Sequence, residues 1–191
     1  AGMDLKGFAR GERPVVEGRG FAGLVEKPPA KPLVTAVEGY ALAGGFEIVL
    51  ASDLVVAARG ATFGLPEVRR GLTAAAGGLF RLPRRVPYHL AMELVLTGRH
   101  WSAQEAAEAG RVNRLVDDGT ALEAAVELAE QVAANAPLAL VASKRVVVES
   151  ASWPLEEAFE RQHEIVDPVR RSECLSVRRP DDVEMMVIRR P

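Results

Sequence analysis

LVTAVEGYALAGGFEIVLASDLVVAA, residues 33–58, decides the fold. Its opening, LVTAVEG, is a short β-branched apolar run bounded by Pro32 and Gly39, the composition of a strand buried on both faces. Gly39 and the pair Gly44-Gly45 then bracket a tight passage, after which Phe46, Ile48, Val49 and Leu50 suit a buried helix. Residues 53–58, DLVVAA, read as a second buried strand. Two apolar strands joined through a helix predict a parallel sheet covered by helices.

Outward from this unit the chain changes character. Residues 1–30 are Gly-rich and charged, and they run into KPPAKP (27–32), where prolines forbid regular helix and favour an extended connector. Downstream, ATFGLPEVRRGLTAAAGG (61–78) is dense in turn formers and predicts an irregular loop, apart from a short strand at Thr62-Phe63. Loops of this kind at strand ends are where a rigid scaffold holds binding groups. From Leu79 the reading is helical: GLFRLPRRV, then PYHLAMELVLTG, then SAQEAAEAG with Ser102 as N-cap and Glu105 completing a capping box. Arg81, Arg84 and Arg85 read as a solvated helical face, with anion or subunit contact as the lesser alternative. VNRLV (112–116) is a last short strand before helices at residues 121–135, 137–150 and 154–166. Residues 173–191 show no amphipathic pattern and predict an irregular tail.

The chain has 191 residues, with 24 basic against 26 acidic side chains and a formal net charge of −2. That balance argues against a nucleic-acid or polybasic membrane protein, which needs clustered cationic surplus. At 48% apolar and 26% charged it has the composition of a soluble globular domain. The lone cysteine, Cys174, leaves no internal disulfide or thiolate metal site, so a reducing, cytoplasmic setting is expected. No apolar run approaches the ~18 residues of a bilayer span, and AGMDLKGFARGE lacks the basic start and apolar middle of a secretory signal.

Three segments could carry chemistry. In VEGYALAGGFE a strand runs into glycines and then a helix, so amides near Gly44 and Gly45 can face outward at the positive end of the helix dipole, a seat for an oxyanion. Glu47 lies in the first helical turn and could share that cleft, or could merely complement the dipole. In FGLPEVRRGL, Pro66 stiffens the approach to Glu67, whose apolar setting of Phe63, Leu65, Val68 and Leu72 would raise its pKa toward acid–base use. The alternatives for Glu67 are solvation or pairing with Arg69 or Arg70. In AGMDLK, Gly2 permits an inward-facing amide at Met3, and Lys6 could meet a phosphate. Phosphate-loop, dinucleotide, zinc-protease and nucleophile-elbow motifs are absent. His89, His100 and His163 lie far apart and suit surface or cap roles, while Trp101 and Trp153 suit packing at helix starts.

Taken in order, AGMDLK, EGYALAGGFE, FGLPEVRRGL with AAAGG, and LTGRHWSAQEAAEAGRVNRLV closely resemble the crotonase superfamily, specifically the enoyl-CoA hydratases. The resemblance implies an α/β fold, a spiral of ββα units over residues 1–110 with an incomplete start, then a C-terminal helical region over 111–172 and an atypical tail over 173–191. It implies that the amides of Met3 and Gly44 form an oxyanion hole. Glu47 and Glu67 would be the catalytic acid and base, and Ala1, Asp4, Leu5 and Lys6 would line the coenzyme A site. The implied reaction is a lyase step of acyl-chain metabolism, water adding across an enoyl-CoA thioester to give a 3-hydroxyacyl-CoA. No metal or redox cofactor is implied, and coenzyme A enters as part of the substrate. Trimers or dimers of trimers are implied, with no nucleic acid or membrane partner. A silent acyl-CoA-binding or oligomerising fragment, or an isomerase, dehalogenase or thioester hydrolase, are the alternatives. The chain departs from the family pattern in its tail, in Ala75 where many relatives carry Gly, and in the strands that normally precede AGMDLK.

Overall fold

In the computed structural model, residues 6–7, 10–172 and 184–188 are described. Within the Gly-rich opening, β1 (Val15–Val16) and β2 (Gly20–Phe21) pair as a small antiparallel hairpin, Val15 opposite Phe21. The KPPAKP connector then delivers the chain to β3 (Leu33–Val37), every residue of which is buried. There follow β4 (Tyr40–Leu42), α1 (Gly44–Ala51), β5 (Leu54–Ala58) and β6 (Thr62–Gly64). A 3₁₀ turn at Pro66–Arg70 leads to α2 (Gly78–Arg81), α3 (Tyr88–Thr97), β7 (Trp101–Ser102) and α4 (Ala103–Glu108). The chain continues through β8 (Arg114–Val116), α5 (Ala121–Ala133), α6 (Pro137–Glu149), α7 (Ala158–Arg170) and β9 (Glu184–Ile188).

The strands form two larger sheets besides the hairpin. One has the order β8-β5-β3-β9 with every pairing parallel; the other has the order β4-β6-β7, with β4 and β6 parallel and β7 antiparallel. Each turn of the chain therefore gives one strand to each sheet, β3 then β4, β5 then β6, with α1 as the crossover between them. This is a spiral of β–β–α units, and it places the turn after β4 and the loop after β6 side by side, since Leu42 pairs with Gly64.

Residue type explains the layering. The β3 and β5 strands are wholly apolar apart from Thr35 because helices cover the sheet; α5 lies over both strands and reaches them through the fully buried Ala121 and Ala125. Thr35 is satisfied by a hydrogen bond with the equally buried Ser52 at the C-terminal end of α1. Between the sheets, Phe46 of α1 packs on Phe63 of β6 and on Trp101 of β7, with ring centroids 5.5 and 6.2 Å apart. The Ser102–Glu105 capping box forms as the sequence indicates.

Three expectations are corrected. The tail is not irregular throughout, because Glu184–Ile188 adds a parallel strand to β3 with Leu33 opposite Glu184; the ladder partner lies at the other end of the chain, where no local pattern shows it. The expected strand in VNRLV forms as β8 and pairs with β5, Val56 opposite Arg114, so the boundary set at residue 110 between spiral and helical region cuts across the sheet. Nor are all three helical arginines solvated. Arg84 and Arg85 are exposed, although Arg85 also donates to the carbonyl of Leu50 at the end of α1, whereas Arg81 is half-buried with two carbonyl partners of its own. A planar guanidinium reaches carbonyl clusters that a helical-face reading does not count.

Beyond the packing of α5, Lys144 ties α6 to the start of the sheet. Lys144 of α6 donates to Asp53 Oδ2 at 2.6 Å and to the carbonyls of Pro29 and Lys31 at 2.8 Å. Asp53 Oδ2 in turn accepts the amide of Leu33 at 2.7 Å, so one ammonium ties α6, the connector and the start of β3 together. With side-chain exposures of 14% and 25% the pair is largely shielded from water. Replacing Lys144 by Met removes charge-assisted bonds and strands the carboxylate, and is expected to lower the unfolding free energy by about 1.5–3 kcal/mol, read from urea denaturation. A loss below about 0.5 kcal/mol would mark the pair as an ordinary surface contact.

Candidate active site

The site begins with a backbone bend. Ala43, before α1, has φ 51° and ψ −128°, a strained conformation for a residue with a side chain. It is held from both sides: the Ala43 amide donates to Gly64 O at 2.9 Å, and the Ala43 carbonyl accepts the amides of Phe46 and Glu47 at 2.9 and 3.0 Å. The bend makes Gly44 the first residue of α1, where amides lie outside the helix's own ladder and the dipole favours negative charge. Glycine is required there by close approach, because a Cβ would lie 2.6 Å from Cε1 and Cζ of Phe21.

One turn on, Glu47 is 3% exposed, among the few buried polar residues. Its Oε1 accepts the amides of Ala76 at 2.7 Å and Gly78 at 2.9 Å. The carboxylate is thus bonded to the loop before α2. Desolvation raises its pKa above the ordinary carboxylate value, opposed by the Gly78 and Ala76 amides and by the charge of Arg81. Ala75, adjacent to the donor Ala76, is exposed.

Glu67 sits in the 3₁₀ turn and is half-buried. Arg69 does not pair with it and donates instead to Thr97 O. Among the described residues Glu67 Oε2 is buried and has no hydrogen-bond partner. Its pKa is also raised, first by desolvation; its own backbone amide opposes this, and the charge on Glu47 adds to it. The β4–β6 pairing has therefore brought the two sequence-proposed carboxylates near enough that Glu67 feels the charge of Glu47. Met3, Ala1, Asp4 and Leu5 lie outside the described residues, and Lys6 is exposed.

Sequence reasoning missed Phe21, Ala43 and Arg81. The only available signal was Gly77-Gly78, whose lack of side chains admits both Arg81 and Glu47. Among the described residues no group of His, Cys, Asp and Glu could hold a metal ion, and no helix is long and apolar enough to cross a membrane.

The raised pKa of Glu47 has a stability consequence. A carboxyl whose folded pKa exceeds its unfolded value adds stability that is complete at acid pH and lost as pH rises through the folded value. Glutamine cannot ionise and can accept the same two amides. Glu47→Gln is thus expected to match the native chain near pH 4 and to melt about 2–4 °C higher at pH 7. Thermal scans across that range check it, and a lower midpoint at pH 7 would refute net desolvation.

Gly44 at the head of α1, the buried Glu47 three residues on and the half-buried Glu67, which feels the charge of Glu47, are thus held by a β–β–α spiral. The chain belongs to the enoyl-CoA hydratase/isomerase family, whose model matches residues 1–173. An enoyl-CoA hydratase structure from Mycobacterium marinum is 59% identical, with a TM-score of 0.88, over 90% of this chain and 68% of that one. A carnitinyl-CoA hydratase structure from Mycobacterium avium is 44% identical, with a TM-score of 0.75, over 92% and 69%. Among curated proteins, a carnitinyl-CoA dehydratase of Salmonella heidelberg is 44% identical over 162 residues, 83% of this chain and 62% of that protein. The fold is accordingly the crotonase type, a mixed helix and sheet body with a C-terminal helical region.

Proposed function

We propose that the chain catalyses reversible addition of water across the α,β double bond of an enoyl-CoA thioester, forming a 3-hydroxyacyl-CoA. The observation that carries this reading is that Glu67, half-buried and raised in pKa by desolvation and by the charge of Glu47, has an Oε2 with no hydrogen-bond partner among the described residues. Two facing carboxyls of raised pKa favour holding a single proton between them, so that one acts as base while the other acts as acid.

The steps follow from the bonding. Water hydrogen-bonded between the carboxylates loses a proton to the pair as its oxygen bonds to C3. Electron density moves through C2 to the thioester oxygen, where the Gly44 amide accepts the developing charge as a hydrogen-bond donor. The Met3 amide is its counterpart by family resemblance. Such a donor contributes about 2.7–4 kcal/mol to the transition state. The pair then returns a proton to C2, and the thioester carbonyl re-forms. Loss of water from the 3-hydroxyacyl thioester uses the same groups in reverse. The coenzyme A portion supplies binding and no chemistry, and no metal or redox step is required for the balance.

Mixing the chain with crotonyl-CoA and following the enoyl thioester absorbance tests the proposal. The expected result is loss of absorbance to a fixed equilibrium, with 3-hydroxybutyryl-CoA as product by mass spectrometry. A protein that folds and leaves crotonyl-CoA and longer enoyl thioesters unchanged would sink the proposal.

A further inference from the structure

Arg81 ends α2, a few residues beyond the turn that holds Glu47. Its Nη2 donates to Val25 O at 2.5 Å and its Nη1 to Ala76 O at 3.2 Å. Gly77 lies between Ala76 and Gly78 with φ 102°, and a Cβ on it would fall 2.0 Å from Arg81 Nη1. The guanidinium therefore occupies the space that glycine leaves open. On the other side of the same turn, a Cβ on Gly78 would meet Glu47 Oε1 at 3.2 Å, and the Ala76 and Gly78 amides grip that oxygen. One short turn is clamped between a guanidinium and a carboxylate.

The other arm leads to the oxyanion side. Val25 donates its amide to Phe21 O, and the Phe21 ring packs where a Gly44 side chain would be. A continuous series of contacts thus runs from Glu47 through the 76–78 turn, Arg81, Val25 and Phe21 to Gly44.

We propose that Arg81 is a positioning residue: by fixing Ala76 O it aims the Ala76 and Gly78 amides at Glu47, and by binding Val25 O it holds that turn in register with Gly44. The inference rests on the acid–base reading of Glu47 above. Its electrostatics agree. The charge of Arg81 favours the ionised form of Glu47, while burial disfavours it. The other charged groups facing these two are Glu67, which feels Glu47, and Arg85, whose like charge faces Arg81.

The test uses the full chain with ¹³C-labelled glutamate side chains, comparing native protein with Arg81→Met, Arg81→Lys and Gly77→Ala. In Arg81→Met the Glu47 carboxyl is expected to titrate at higher pH than in native protein, and to move further than Glu67. Arg81→Lys restores the charge and returns the midpoint part of the way. Gly77→Ala, which displaces Nη1 without removing the charge, shifts Glu47 in the same direction and serves if Arg81→Met does not fold. On crotonyl-CoA, kcat falls on the order of 10- to 100-fold with KM changed only a few-fold. Lys144→Met, destabilised elsewhere, keeps native kcat below its melting range. Glu47 titrating at its native pH in Arg81→Met, or in Gly77→Ala where the former does not fold, would overturn the inference. A chain inactive on every enoyl-CoA but showing the shifted Glu47 would leave the positioning role standing and defeat only the proposed reaction.

Discussion

Glu67→Gln is expected to slow hydration of crotonyl-CoA by about 10²–10⁴-fold, with KM little changed. The size follows from what the side chain does in the folded protein. Glu67 Oε2 is buried without a hydrogen-bond partner among the described residues, so the carboxyl makes no structural bond there that an amide would break. The amide has nearly the same shape, and it removes a group whose ionisation burial already disfavours. Stability is thus expected to hold or rise while the rate falls, the pattern of a group that acts mainly in the transition state. Glu47→Gln should cost a comparable factor, because the two amides that hold Oε1 remain satisfied while the shared proton is lost.

The double variant distinguishes a working pair from two independent helpers. If the carboxyls share one proton, removing the second costs little more than removing the first. The acid and alkaline flanks of the rate profile in the native chain then belong to the pair, not to either residue. Burial raises both carboxyls, so the alkaline flank is expected above the range of an unperturbed carboxylate. Single-turnover rates across pH check this. Losses under 10-fold for both single variants, or losses that multiply in the double variant, would remove Glu47 and Glu67 from the chemistry.

How far the sequence carried depends on whether a residue's partner is near it in the chain. Strands β3 and β5 were legible because burial on both faces leaves apolar, β-branched runs. Helix α1 was legible from its glycines and apolar face, and the capping box at Ser102 is a local device by construction. Glu47 and Glu67 could be named as candidates for the same reason, one in a first helical turn and one after a proline. What brings them together was not legible. The YAL strand β4 is short and lies between glycines, and only its parallel pairing with β6 makes it a strand. Strand β9 depends in the same way on β3. Arg81 was misread because basic residues on a helix are usually solvated, and its acceptor Val25 is a distant residue in a Gly-rich segment. Phe21 against Gly44 and the positive φ of Ala43 are likewise products of tertiary packing, which composition does not encode.

The largest expected loss of stability is at Trp101. It is 1% exposed and heads the fully buried side chains by volume. As a residue of β7 it pairs with Phe63 of β6, and its ring stands edge-on to Phe46 of α1. The indole therefore fills the space between the smaller sheet and the helix that carries Glu47. Truncation to Ala removes its transfer free energy and leaves a cavity whose walls are two strands and a helix start, elements that cannot easily close over it. A loss of about 3–5 kcal/mol is expected, of which the aromatic contacts account for about 0.5–1.5 kcal/mol. Against a total of about 5–15 kcal/mol for a domain, that is enough to unfold a large fraction of the chain at moderate temperature. Trp101→Phe keeps an aromatic edge toward Phe46 and should recover more than half of the loss. Urea denaturation with an unchanged m-value separates lost packing from a rearranged native state. Because Phe46 precedes Glu47 on α1, the Ala variant should also lose the proposed hydration of crotonyl-CoA below its unfolding transition, as the carboxylate drifts from the Ala76 and Gly78 amides. If Trp101→Ala costs under 1 kcal/mol, the wall between α1 and the β4-β6-β7 sheet is not what holds Glu47 in place, and the amide clamp alone must do so.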